Sequence, residues 1–129
     1  VSGNTNSLTN TQVGASNSSI LKITGNLNSA TINQQSNSNQ SYGLINGNSN
    51  TFTIIQNGNG NLASINLYGD SNNASINQTG NNHGAVLNLV NAGGANTVNL
   101  TQTGNGDTYS MQQTCTNPAG CSSTIVRNK

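Results

Sequence analysis

The chain has 129 residues, of which 30% are hydrophobic, 3% aromatic and 4% charged, with a formal net charge of +1. That length suggests one domain, but ordinary globular cores draw on about 45–50% apolar residues, and ordinary disorder comes with high net charge. With Lys22, Arg127 and Lys129 as its only bases, the chain lacks the footprint of a nucleic-acid partner, and no apolar run is long enough for membrane insertion as a helix.

Asn, Ser, Thr, Gly and Gln fill the chain instead, a composition of aggregating tracts or of folds that stack polar residues in ladders. Residues 1–7, VSGNTNS, form a short N-terminal segment without charge or Pro. Starting at Val1 with no basic or apolar leader, the sequence reads as a mature, processed product.

From Leu8 to Cys115 the chain is a repeat. Blocks of eleven residues begin at Leu8, Ser19, Ala30, Ser41, Phe52, Ala63, Ala74 and Ala85. A two-residue insertion in NAGGA (91–95) shifts the register, and Val98 and Tyr109 continue the series. The third slot of each block is mostly aliphatic: Leu21, Ile32, Ile54, Ile65, Ile76, Leu87, Leu100 and Met111, with Asn10 and Gly43 as exceptions. Each block alternates with period two over about five residues and then meets Gly and Asn, which predicts a short half-buried strand and a turn.

The corner columns fix the register. Asn28, Asn50, Asn61, Asn72 and Asn96 precede the strands, with His83 and Asp107 in the same column. Gly58, Gly69, Gly80 and Gly104 follow the strands, where a tight corner needs positive φ. Asn suits the same corners because it tolerates the left-handed region and bonds its own backbone.

The fifth slot shows that the unit is two blocks long. Odd blocks carry Gln12, Gln34, Gln56, Gln78 and Gln102; even blocks carry Ile23, Ile45, Leu67 and Leu89, and the last one carries Gln113. The fold class is therefore all-β: a β-solenoid of about five 22-residue rungs, two short strands to a rung. Gln stacked on Gln satisfies buried amides without charge. The core ladder expected is the five Gln with Ile32, Ile54, Ile76, Ile65, Leu67, Leu87 and Leu89.

Residues 116–129 carry a turn and a last segment, SSTIVRNK, that is either a final strand or a cap. Within CTNPAGC, Cys115 and Cys121 favour a local disulfide and an oxidising compartment. The competing metal site would want four ligands, and the only His, His83, is distant. No cofactor is implied. A solenoid with such bare edges is expected to use them and to polymerise rung on rung.

The repeat resembles that of the curlins, secreted subunits of bacterial curli-type functional amyloid, whose pattern is Ser-x5-Gln-x-Gly-x-x-Asn-x-Ala-x3-Gln. Gln56, Gly58, Asn61 and Ala63 match its central run, and Gln78, Gly80 and Ala85 match again with His83 in the Asn slot. Gln12, Gly14 and Asn17 match with Ser19 in place of Ala. The family's Ser slot is Asn here, and its second Gln is Ile or Leu in four rungs of five. The resemblance implies export across the outer membrane, assembly at the cell surface, a role in biofilm matrix and adhesion, and partners comprising the chain itself, a nucleating subunit and a secretion apparatus. Whether the subunit is major or nucleating is left open by these departures.

The alternative is a monomeric solenoid with capped ends that binds ice or a surface. Thr9, Thr11, Thr31, Thr53, Thr101 and Thr103 lie on one outward face for it. The opposite face carries Ile20, Tyr42, Leu44, Tyr68, Val86 and Val90, either a lateral contact or scattered surface apolars. Catalysis would need positioned acids, bases or nucleophiles; the chain offers His83, Asp70 and Asp107, of which His83 and Asp107 occupy the corner slot and fit turns better, and an enzyme is not expected.

Overall fold

The structure is a computed structural model that describes all residues from Val1 to Lys129. It contains no helix and eleven strands: β1 (Ser7–Val13), β2 (Ser18–Thr24), β3 (Ser29–Gln35), β4 (Gln40–Asn46), β5 (Thr51–Asn57), β6 (Leu62–Tyr68), β7 (Asn73–Asn81), β8 (Gly84–Asn91), β9 (Asn96–Asn105), β10 (Thr108–Cys115) and β11 (Cys121–Asn128). Odd strands stack in order as a parallel sheet of six, and even strands as a parallel sheet of five. The chain winds from one sheet to the other and back, a β-solenoid with five full rungs and the first half of a sixth.

The register is that of the repeat. Ala30 pairs with Phe52, Ile54 with Ile76 and Gln56 with Gln78, each residue meeting the one 22 positions on. The insertion lengthens that step to 24 residues between Asn72 and Asn96 and bulges at the corner without disturbing β7 against β9. Strand residues alternate between buried and open along β3 to β9. The inward residues of both sheets make one core of sixteen buried side chains, from Ile23 to Leu100.

That core is volume-matched across the rung. Among the odd strands Phe52 stands in a slot otherwise held by Ala, Ser, Val or Leu, and it is fully buried. Gly43 faces it from β4: a methyl there would sit 2.7 Å from the Phe52 ring and 2.6 Å from the Leu21 side chain. The Gly in the aliphatic column is the space that the ring occupies.

The corners correct one expectation. The strand-ending glycines do take positive φ, as at Gly58 (121°) and Gly80 (122°). A Cβ on Gly58 would collide with the Gly80 carbonyl of the next rung, so stacking as well as torsion requires glycine there. Asn28, Asn50, Asn61, Asn72 and Asn96, however, do not adopt the left-handed conformation. Before the first four it falls one residue earlier, on Leu27 (59°), Ser49 (57°), Gly60 (66°) and Ser71 (60°). The Asn side chains point into the solenoid, where they are nearly fully buried.

Gly43→Ala is expected to destabilise the monomer by about 1–3 kcal/mol through overpacking. Urea unfolding should show most of that cost vanishing in a Phe52→Ala background, because the added methyl then enters the vacated space.

Candidate functional site

The functional features of this fold are its ladders and the two ends where they stop. Along the odd sheet, each Gln Nε2 donates to the Oε1 of the Gln one rung on: Gln12 to Gln34 (2.6 Å), Gln34 to Gln56 (2.9 Å), Gln56 to Gln78 (2.9 Å) and Gln78 to Gln102 (3.0 Å). The second N–H reaches across the rung to the carbonyl where an even strand begins, Ser18, Gln40 or Leu62, each at 3.0 Å. Gln34, Gln56, Gln78 and Gln102 are fully buried with these amides satisfied. The aliphatic members Ile32, Ile54, Ile76, Ile65, Leu67, Leu87 and Leu89 fill the remaining interior.

The corner asparagines form a second ladder. The backbone N–H of Asn50 donates to Asn28 Oδ1 (2.9 Å), that of Asn72 to Asn50 (2.8 Å) and that of Asn96 to Asn72 (3.0 Å). Their Nδ2 groups close the corners, Asn28 on Gly47 O and Asn50 on Gly69 O, both at 2.8 Å. Asn61 does the same on Gly80 O at 2.9 Å. His83 continues that column: its N–H donates to Asn61 Oδ1 (3.0 Å), and its ring is buried with Nε2 3.3 Å from Thr79 O.

A third ladder was not anticipated from the sequence. The backbone N–H of Asn26 donates to Asn48 Oδ1 (2.9 Å) and that of Asn48 to Asp70 (2.6 Å). On the other corner Asn59 donates to Asn81 (2.9 Å). These side chains are exposed and run opposite in direction to the buried Asn column. Their signal was an Asn or Asp after the corner glycine, as in Gly25-Asn26, Gly47-Asn48, Gly58-Asn59 and Gly69-Asp70.

The two ends differ. At the N-terminal end β1 has a free edge; Leu8 is 47% exposed, and Gln12 donates onward while its own Oε1 receives nothing. At the C-terminal end β11 lies on β9 and places Arg127 opposite Gln102. Arg127 grips Asp107 with two hydrogen bonds, Nε to Oδ2 at 2.7 Å and Nη2 to Oδ1 at 2.8 Å, and Gln102 Nε2 donates to the same Oδ2 at 3.1 Å. The Gln ladder thus ends on a carboxylate, and the guanidinium also lies 5.3 Å from the Tyr109 ring. The hydrogen bond from Arg127 is the main cause that lowers the Asp107 pKa from 3.8 to about 2, against the opposing effect of burial.

Cys115 and Cys121 are joined in a disulfide with Cα atoms 5.6 Å apart. Cys121 stands opposite Asn96, in the Asn slot of the last strand, so the covalent bond closes the corner that leads into β11. No helix is long and apolar enough to cross a membrane.

Parallel rungs of eleven-residue arcs, buried amide ladders and glycine corners define an amide-laddered β-solenoid repeat protein. Residues 47–80 match the family model of the curlin associated repeat. Neither a curated protein nor a solved structure matches the chain.

Replacing Gln56 by Leu leaves Gln34 without its acceptor and Gln78 Oε1 without its donor, so a loss of about 1–3 kcal/mol for each unpaired group is expected by denaturant titration. Acid should act on the C-terminal end. The depressed folded pKa of Asp107 means that its contribution is complete above pH 3.8 and is lost as pH falls through about 2. Carboxylate NMR should titrate Asp107 near that value with loosening of β11, and Asp107→Asn should abolish the acid dependence of β11.

Proposed function

We propose that the protein is a structural, non-catalytic subunit of an extracellular curli-type functional amyloid, assembling with copies of itself by stacking solenoid on solenoid. The observation that carries this reading is the state of the two ends. Backbone edges are open at both, along β1 and β10 alike, and at the N-terminal end the inward columns stop in mid-ladder: Gln12 keeps an unused acceptor and Leu8 an exposed apolar side chain. Open parallel edges of this kind pair with further strands unless they are blocked, and a solenoid whose rungs stack like on like offers its own next rung as the best partner. Biofilm matrix and adhesion at a bacterial surface, export by a curli-type secretion apparatus and an accompanying nucleating subunit follow from the curlin resemblance. The disulfide between Cys115 and Cys121 suits an oxidising, extracellular location.

Purified protein diluted from denaturant into buffer is expected to form long unbranched fibres with a meridional spacing of about 4.7–4.8 Å. A folded monomer that persists at high concentration would instead mean that Arg127, Asp107 and the disulfide cap the chain. The capped alternative, with the Thr9, Thr31 and Thr53 face as a surface binder, would then take over.

A further inference from the structure

The stretch from β1 to β11 contains an odd number of strands, and this decides how one copy can sit on the next. The odd sheet runs one strand beyond the even sheet, so at the C-terminal end β11 overhangs and the edge of β10 stands uncovered. Tyr109 and Met111 of β10, together with Ile125 of β11, line that step as partly buried side chains packed against the core. The question is which strand of a second copy fills it.

Two dockings keep all strands parallel. In a pure translation, β1 of the next copy lies on β11 and its β2 extends the even sheet. The slot beside β10 then stays empty except at one end, where Ser2 bridges Thr24. Nearly a whole strand length of N–H and C=O groups on both sides of that slot would lack partners, at about 1–3 kcal/mol for each one buried. The inward columns would also mismatch: Ser123 on Leu8, Ile125 on Asn10 and Arg127 on Gln12.

In the second docking the next copy is turned by half a revolution about the solenoid axis. Its β1 fills the slot on β10, its β2 lies on β11, and strands alternate between the sheets without a gap. The eleven-residue pseudo-repeat makes the two halves of a rung alike enough for this exchange. Both halves have strands of seven residues, as in β5 and β6, and corners that open on glycine, as at Gly58 and Gly69.

The columns support the half turn. Gln113 is the one Gln in the fifth slot of an even strand, and the half turn brings it onto Gln12, whose Oε1 is free to accept; Gln113 Nε2 donates to Asn96 Oδ1 (2.9 Å) and to Cys121 O (3.4 Å) within its own chain, and the joint exchanges the longer of these two bonds for Gln12 Oε1. Tyr109 meets Leu8, Ile125 meets Leu21 and Ser123 meets Ser19. Met111 meets Asn10, as Ile125 does under translation, and Arg127 meets Ile23 through its aliphatic stem while its head stays on Asp107. Chain ends must yield, because Ser2–Gly3 and Asn128–Lys129 would share one place beside Thr24 and Gly25; one of the two pairs swings out.

Resting on the fibre reading above, we infer that successive copies join in a two-fold screw arrangement, β10 to β1 and β11 to β2, with Gln113 completing the amide ladder across the joint. The fibre repeat is then one copy per half turn, with a rise of about 26 Å from five and a half rungs, against about 29 Å with no half turn for the translated docking.

Two double variants separate the dockings. The half turn places exposed Thr124 of one copy beside exposed Ile20 of the next, whereas translation places it beside Thr9. Neighbouring parallel strands hold such pairs within disulfide reach. Fibres of Ile20→Cys/Thr124→Cys, oxidised and run on a non-reducing denaturing gel, should give a covalent ladder, and Thr9→Cys/Thr124→Cys fibres should stay monomeric on the gel. Helical reconstruction of unmodified fibres should independently show the half turn and the shorter rise. A ladder from the Thr9 pair, or fibres in which neither pair cross-links, would overturn the half-turn joint while leaving fibre assembly intact. Absence of fibres from the unmodified chain would remove the fibre reading and this inference together.

Discussion

Parallel strands about 4.7–4.9 Å apart, held in strict register, force every side chain to lie against its own counterpart one rung away. The rest of the structure follows from that constraint. A charge would sit on a like charge, so the rungs are nearly uncharged. An amide on an amide both gives and receives a hydrogen bond, so Gln34, Gln56 and Gln78 can be buried with their amides paired. Glycine at most corners leaves room for the carbonyl of the next rung, which explains Gly58 more fully than turn torsion alone. The interior is thin, but each rung buries its neighbour, and a chain poor in hydrophobic residues acquires a dry core.

The same constraint gives the molecule direction. Gln side chains donate towards the C-terminal end, whereas the buried Asn column receives backbone N–H bonds from the rung that follows. The first rung therefore presents an unused Gln acceptor, and the last odd strand replaces Gln with Arg127 bound to Asp107. The ion pair and the disulfide hold β11 where the amide contacts give out. They make the C-terminal end distinct without covering β10, whose edge remains the place for another strand.

Much of this was legible in the sequence because solenoid physics is local and periodic. Alternation within each block marked the strands, and the Gln, aliphatic and Gly columns gave the register that the strands adopt. What escaped had causes beyond a column. The fit of Phe52 into the space at Gly43 crosses from one sheet to the other and couples slots of different type. Asn was assigned the left-handed corner position from its intrinsic tolerance, but burial and stacking claim its side chain, and the strained torsion passes to Leu27 or Ser49. The Asn26–Asn48–Asp70 ladder was overlooked because exposed corner residues read as generic turn polarity. The pairing of Arg127 with Asp107 lay beyond the repeat's register, which the disulfide loop interrupts.

The central claim is that buried amide ladders hold the rungs together, and the side-chain NH2 groups themselves report on it. In the folded monomer, NMR exchange of the Gln34, Gln56 and Gln78 side-chain amides should be slowed to the level of the strand backbone, with direct contacts from Gln56 to Gln78. Exchange as fast as that of the exposed corner amides of Asn37 and Asn59, without such contacts, would contradict the account.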